Sequence, residues 1–441
     1  MSGTFEQIRR RNQELRDSLL ALTKRFSDTS SRSSQATIRD ADAIVAHIEI
    51  NDHHGVGVLL QRLFGDSANI LSIRSKDFYG GKQDFGAMQA CIAHNGASRD
   101  LVTWEALEAL RGATVRRILA VPYFEDDALN AIALKEVFGV PLCTFLMDDQ
   151  NLYSDGISDT VMGELLKKSS LRLAISPQMC AGYEAKYGCR VDFMPPLAPA
   201  RLMPRRLNEI PMKSLPDREP LILGNIWGQH WLQLLREAIR GTGITVRWYN
   251  NGDFRWMGCS NADLRQDGIL PQEGPPDPDE TLVEILRQSP FVIVPSGTLD
   301  EKDDRRFIAR LSFPSRIPYI LATSHTPVLV LGSEETAAAR AVTHLGIGAV
   351  APYQPKEFLK AVEHIRRPEV NLAMRRAAFR LSSRFGDLGA AEWIWQSLEK
   401  GAPADKRYED LMPRAEPQQR QTKSARGSCN PAQKRVDQQL E

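Results

Sequence analysis

The chain has 441 residues, 42% hydrophobic and 25% charged, with 56 lysines and arginines against 55 aspartates and glutamates. That length exceeds one ordinary core and fits about two to three domains, and the composition excludes collagen-like, wholly disordered and disulfide-framework proteins. A net charge of +1 advertises no field for nucleic acid, so no nucleic-acid partner is expected.

Residues 1–36 read as a helix followed by a Ser-rich linker, "SDTSSRSSQAT". Ile8, Leu15, Leu19, Leu22 and Phe26 fall on one helical face, with Arg9, Arg10, Arg11, Arg16, Lys24 and Arg25 elsewhere. Two readings stand: a packing or coiled-coil helix with a solvated basic face, or a peripheral contact with an anionic membrane. The N-terminus has no apolar core of signal-peptide type, and no stretch reaches the roughly 20 apolar residues that span a bilayer.

From residue 37 to 195 apolar runs alternate with helical stretches. The runs are "AIVAHIEI", "NILSIRS", "RRILAVPYF", "PLCTFLMDD", "RLAISP" and "RVDFMPP", with helices such as "DALNAIALKEVFG" and "DTVMGELLKKSS" between. Near-continuous apolar strands separated by helices predict a parallel sheet covered on both faces, a Rossmann-like domain. Residues 196–219 are rich in proline and basic residues, lack periodicity, and read as a linker. The alternation restarts over 220–385, with "PLILGNIW", "ITVRWYN", "PFVIVPSG", "TPVLVLG" and "GAVAPY" as strands. A second Rossmann-like domain is expected there, then a closing helix over 386–404 and a disordered polar tail over 405–441.

The six cysteines, Cys91, Cys143, Cys180, Cys189, Cys259 and Cys429, form no CxxC pair and no zinc-like spacing. A reducing, cytoplasmic compartment is the expectation, with no metal or cofactor.

In open parallel sheets ligands collect outside the C-terminal strand ends, so candidates lie just after each strand. After the first comes "NDHHGVGVLLQRLFG", where Gly55 and Gly57 permit close backbone approach and His53 or His54 is either a base, a substrate contact or merely solvated. After the fourth, Asp148 and Asp149 either cap a helix or orient a hydroxyl and accept its proton. One such pair is a poor metal cage. In the second domain Gly224 and Asn225 follow one strand, and Ser296 with Gly297 follows another.

The stretch "SFPSRIPYILATSHTPVLVLG" places Ser315 as an N-cap, Pro318 in the first turn, and Ile317, Ile320 and Leu321 on a buried stripe. Arg316 is unfavourable at a helix N-terminus unless an anion is shared between it and the backbone. Either a phosphate resolves the conflict or the arginine is an exposed charge. On the first reading its loss weakens nucleotide binding and leaves thermal stability nearly unchanged.

Two consecutive Rossmann-like domains, the proline-rich linker and "PSR-IPYILA-TSHTPVLVLG" together resemble two-domain (GT-B) glycosyltransferases of the retaining, glycosyltransferase-family-1-like kind. "HHGVG", "MDDQNLY" and "ISPQMCAGYEAKYG", with Ser176, Met179, Tyr183 and Tyr187, resemble one branch of it. The likeness covers about 43 to 400. It implies parallel sheets facing a central cleft and transfer of a sugar from a nucleotide-diphosphate donor to a sugar, lipid-linked or protein acceptor, as in polysaccharide or glycolipid synthesis. Pro314, Ser315, Arg316, Tyr319, Gly224, Asn225 and Ser296 would face the donor, Asp148 and Asp149 would be catalytic, and His54, Gly55 and Gly57 would lie on the acceptor side. Two departures stand out. Ser312 and Tyr319 occupy the places of two glutamates, and His325-Thr326, not glycine, precedes Pro327. Arg305, Arg306 or Arg316 would substitute for a missing Arg and Lys pair. The alternatives are a catalytically silent GT-B binding or scaffolding protein and a nucleotide-sugar epimerase.

Overall fold

The computed structural model describes residues 38–415 except 47–54, 66, 76–84, 95, 97–98, 111, 208–217, 251–257, 275 and 277. The expected N-terminal helix, His53 and His54 lie outside the described residues.

The first sheet has seven strands: β1 (Ala41–Ala46), β2 (Ile70–Arg74), β3 (Met88–Cys91), β4 (Val115–Val121), β5 (Leu142–Leu146), β6 (Leu171–Ala174) and β7 (Asp192–Phe193). Their order is β3-β2-β1-β4-β5-β6-β7, and every pairing is parallel. Five helices connect them: α1 (Gly55–Phe64), α2 (Arg99–Leu110), α3 (Glu125–Phe138), α4 (Asp159–Lys168) and α5 (Pro177–Tyr187). β1 and β5 are buried along their whole length, as two-sided burial requires.

The second sheet has six strands: β8 (Leu221–Leu223), β9 (Val246–Asn250), β10 (Ile269–Glu273), β11 (Val292–Pro295), β12 (Val328–Leu331) and β13 (Gly348–Ala351). The order is β10-β9-β8-β11-β12-β13, again parallel throughout. Its helices are α6 (Gln229–Ile239), α7 (Asn261–Gln266), α8 (Asp279–Gln288), α9 (Arg306–Leu311), α10 (Arg316–Ser324), α11 (Ala337–Leu345), α12 (Pro355–Arg366) and α13 (Pro368–Ser382). Two strands escape the sequence pattern, β3 and β10. Both are edges, where one side is not packed on by a neighbouring strand, so polar residues and even Pro271 are tolerated and no apolar run forms.

The C-terminal edges of the sheets are turned toward each other. Tyr153, after β5, stacks on Phe307 of α9 at 4.3 Å between ring centroids. Ser176, after β6, accepts from Met179 N at 3.0 Å to cap α5 and donates its hydroxyl to the Leu311 carbonyl of the other domain. Of the other motif residues there, Met179 and Tyr183 are buried, and Tyr187 donates to Asn151. Behind this seam Arg62 pairs with Asp387 at 2.9 Å and Arg201 with Asp279 at 2.7 Å, and Ala198 bridges Gly386 where the chain crosses back.

The closing helix, α14 (Ala390–Lys400), returns to the first domain. Trp395 meets Phe64 at 5.3 Å, and the Arg117 guanidinium sits 4.2 Å from the Trp395 ring. The expected tail begins too early: Tyr408 and Leu411 are each 1% exposed, and Trp393 packs edge-on to Tyr408 at 4.8 Å. Three apolar residues spaced at 408, 411 and 412 among charges suffice to dock a short segment. Tyr408→Ala should therefore cost about 3 kcal/mol of stability, read from denaturant melts; a tail residue would cost nothing. Among the described residues no helix is long and apolar enough to cross a membrane, no His/Cys/Asp/Glu group could hold a metal ion, and the five cysteines are free.

Candidate active site

At the first sheet's edge, Asp148 follows β5 and accepts from the Tyr123 hydroxyl at 2.5 Å. Tyr123 follows β4, and its backbone is fixed from below: the buried Asp127 of α3 accepts from Tyr123 N and Phe124 N, both at 3.0 Å. Burial raises the Asp148 carboxyl to about 6, Asp149 adding to the shift and the Tyr123 hydrogen bond opposing it. Burial likewise raises Asp127 to about 6.

Asp149 is differently placed. Its two oxygens accept from the backbone N–H of Asn151 (3.0 Å), Leu152 (2.6 Å), Tyr153 (2.9 Å) and Ser154 (3.3 Å). Four donors spend its lone pairs on folding the loop, so of the adjacent pair Asp149 is committed to the backbone while Asp148 accepts from one phenol. Gly55 and Gly57 lie in the first turn of α1; neither has positive φ, and Gly57 is buried.

In the second domain Gly224, at φ +80°, turns the chain after β8, its N–H bonded to Tyr249 O at 2.8 Å and its carbonyl accepting from Trp248 Nε1 at 2.8 Å. The Arg316 guanidinium lies against it: a Cβ at 224 would stand 3.4 Å from Arg316 Cζ. Arg316 donates from Nη1 to Leu223 O at 2.8 Å and from Nη2 to Asn225 O at 2.7 Å. Burial lowers it to about 10, with no carboxylate among the described residues contributing, so it stays cationic at neutral pH with two carbonyl dipoles facing its charge.

The sequence reading of α10's start needs correction. Ser315 is already helical (φ −56°, ψ −24°), is exposed, and makes no side-chain cap. The helical pattern starts one residue earlier, with Pro314 O accepting from Ile317 N at 3.0 Å and Ser315 O from Tyr319 N at 3.2 Å. Since Pro318 has no N–H, most first-turn donors are spent or missing. The positive potential here therefore comes from the guanidinium more than from the helix end.

The remaining donor candidates separate. Ser296 is 3% exposed, and the Tyr353 hydroxyl occupies both its N–H (3.0 Å) and its carbonyl (2.8 Å). Tyr319 points to the interdomain crossing: its electrostatic neighbours are Asp279, Arg201, Arg62 and Glu280, and burial raises its phenol. The structure thus brings together Gly224, Asn225 and Arg316; the backbone of Ser296 is taken by Tyr353, and Tyr319 faces the domain crossing.

Two residues outside the sequence candidates, Tyr123 and Trp227, adjoin these groups. Tyr123 sat inside an apolar run and was read as strand. Arg305 Nε donates to Trp227 O at 3.2 Å, and Trp227 is 57% exposed. The first turn of α6 is tied to the loop after β11 by Trp231 Nε1 donating to the buried Asp303 at 2.7 Å.

No protein-family model matches the sequence, and no curated protein matches it. Among solved structures the chain is similar to sucrose-phosphate synthase from Thermosynechococcus elongatus, with 12% identity and a TM-score of 0.55 over 82% of this chain and 98% of that one. It is similar too to a structure from Listeria monocytogenes described as a UDP-N-acetylglucosamine 2-epimerase, with 13% identity and a TM-score of 0.50 over 88% of this chain and all of that one (100%). At such identities the likeness shows the fold, the two-Rossmann GT-B arrangement.

Proposed function

We propose that the protein transfers a sugar from a nucleotide-diphosphate donor to a hydroxyl acceptor, with the donor held chiefly by the second domain and the acceptor by the first. The observation that carries the reading is Arg316, a cation with no carboxylate partner among the described residues, fixed against a side-chain-free turn at the C-terminal edge of the sheet. A diphosphate supplies the missing negative charge, and Gly224 leaves it room. Asn225, Pro314 and Ser315 border the same place.

In the reaction the acceptor oxygen bonds to the anomeric carbon, the bond from that carbon to the diphosphate oxygen breaks, and the hydroxyl proton passes to Asp148. Arg316 offsets the charge that develops on the departing diphosphate. Tyr123 holds Asp148 in place. Retention of anomeric configuration and a polysaccharide or glycolipid product are the resemblance's implications, readable from the product's anomeric NMR coupling.

A second reading, nucleotide-sugar epimerisation, is favoured by the likeness to the Listeria structure and uses the same nucleotide site. Titration calorimetry with UDP and GDP, then NMR of the matching nucleotide sugars in D2O, distinguishes the cases. Binding of neither nucleotide sinks both readings. Deuterium entry into the sugar without an acceptor selects the epimerase; release of nucleoside diphosphate only with an acceptor selects the transferase. Binding without either reaction selects a silent binding protein.

A further inference from the structure

The seam between the domains carries side chains that neither the diphosphate nor the proton transfer uses. Trp227 is 57% exposed, yet its loop is held rigid. Arg316 takes the carbonyls of Leu223 and Asn225, and Arg305 takes that of Trp227. Next along the chain from Arg305, the Arg306 guanidinium lies 4.8 Å from the Phe307 ring centroid. Phe307 stacks on Tyr153 of the other domain with 12° between the ring planes, and Tyr153 remains 41% exposed. Tyr153 is itself positioned by Asp149, through its N–H at 2.9 Å. The row Trp227, Arg305, Arg306, Phe307, Tyr153 thus leads from the donor-side turn to the loop that starts at Asp148.

Large aromatic side chains left in water on preorganised loops mark a binding surface. Flat apolar faces interspersed with guanidinium donors match a ligand with C–H faces and a rim of hydroxyls, which is a pyranose ring. A nucleobase would also stack on an indole, but the row runs away from Arg316 and ends on the loop that Asp148 begins. We infer that this row is an acceptor subsite for a sugar chain, which makes the acceptor a glycan and not a small alcohol or a protein side chain. The inference rests on the transferase reading.

The test needs no turnover: saturation-transfer NMR on the full chain with malto-, cello- and chito-oligosaccharides, and with UDP and GDP as controls, for the wild type, Trp227→Ala and Tyr153→Ala. Both side chains are exposed, and thermal melts check that the variants fold. At least one oligosaccharide should bind the wild type, and each variant should weaken that binding about ten-fold with nucleotide affinity unchanged. Absence of binding by every oligosaccharide overturns the inference. So does Trp227→Ala weakening nucleotide and not oligosaccharide, which makes the indole a base platform. Failure of UDP and GDP to bind the wild type sinks the transferase reading instead, and a retained oligosaccharide signal would then show the aromatic row binding sugar by itself.

Discussion

Asp148→Asn should reduce turnover by about 10²- to 10⁴-fold, the usual worth of a positioned proton acceptor, and should at the same time make the protein more stable above pH 6. The carboxyl titrates at about 6 in the folded chain against an ordinary 3.8. A raised carboxyl favours the fold most when protonated, below about pH 3.8; that contribution is lost as pH rises through 6. Above 6 the folded state carries a desolvated charge that asparagine does not have. That shift corresponds to about 3 kcal/mol at most, and partial solvent contact reduces the expected gain to about 1–3 kcal/mol. Asparagine can still accept from Tyr123, so the loop should keep its shape. Turnover of the wild type should fall about ten-fold per pH unit below 6. Tyr123→Phe removes a hydrogen bond that holds the carboxyl down, and should move that midpoint to higher pH. Denaturant melts at pH 5 and 8, with pH–rate profiles, decide it. Unchanged turnover in Asp148→Asn would leave this carboxylate structural, like its neighbour.

Arg316→Ala should weaken nucleoside-diphosphate affinity about 10- to 100-fold, as loss of a charge-assisted contact does, and should also cost about 1–3 kcal/mol of stability. The second effect is where the structure departs from the sequence reading. An arginine at a solvated helix end would be lost without thermal consequence, but this one satisfies two carbonyls of the turn after β8. Removing it leaves them unpaired and loosens the loop that carries Asn225 and Trp227. Arg316→Lys keeps the charge but cannot span both carbonyls, so it should retain more affinity than stability. Calorimetry with UDP and GDP beside thermal melts separates the two roles; full nucleotide affinity in the alanine variant would sink the diphosphate assignment.

The division between Asp148 and Asp149 shows why a site is harder to read than a fold. Side by side in "MDDQNLY" the two carboxylates are chemically equivalent. Which one faces a phenol from β4 and which one folds the next four residues depends on where two strands end, and that is a matter of tertiary registry. Tyr319 makes the same point: three residues beyond Arg316 on α10, it turns to the domain crossing and not to the turn after β8.

The sequence by itself determined the two parallel sheets, because strands buried on both faces must be apolar nearly throughout, as "AIVA" and "FVIVP" are. It also located the turns that follow the strands, because the apolar runs end there. The edge strands β3 and β10 and the docked segment around Tyr408 were left to the tertiary structure, since a half-buried strand or a short packed segment needs too few apolar residues to make a pattern. So too was the company each side chain keeps. Arg316 with Gly224, Tyr123 with Asp148, and Phe307 with Tyr153 are separated by 25 to 154 positions in the chain, and only the closure of two sheets and the meeting of their edges brings them together.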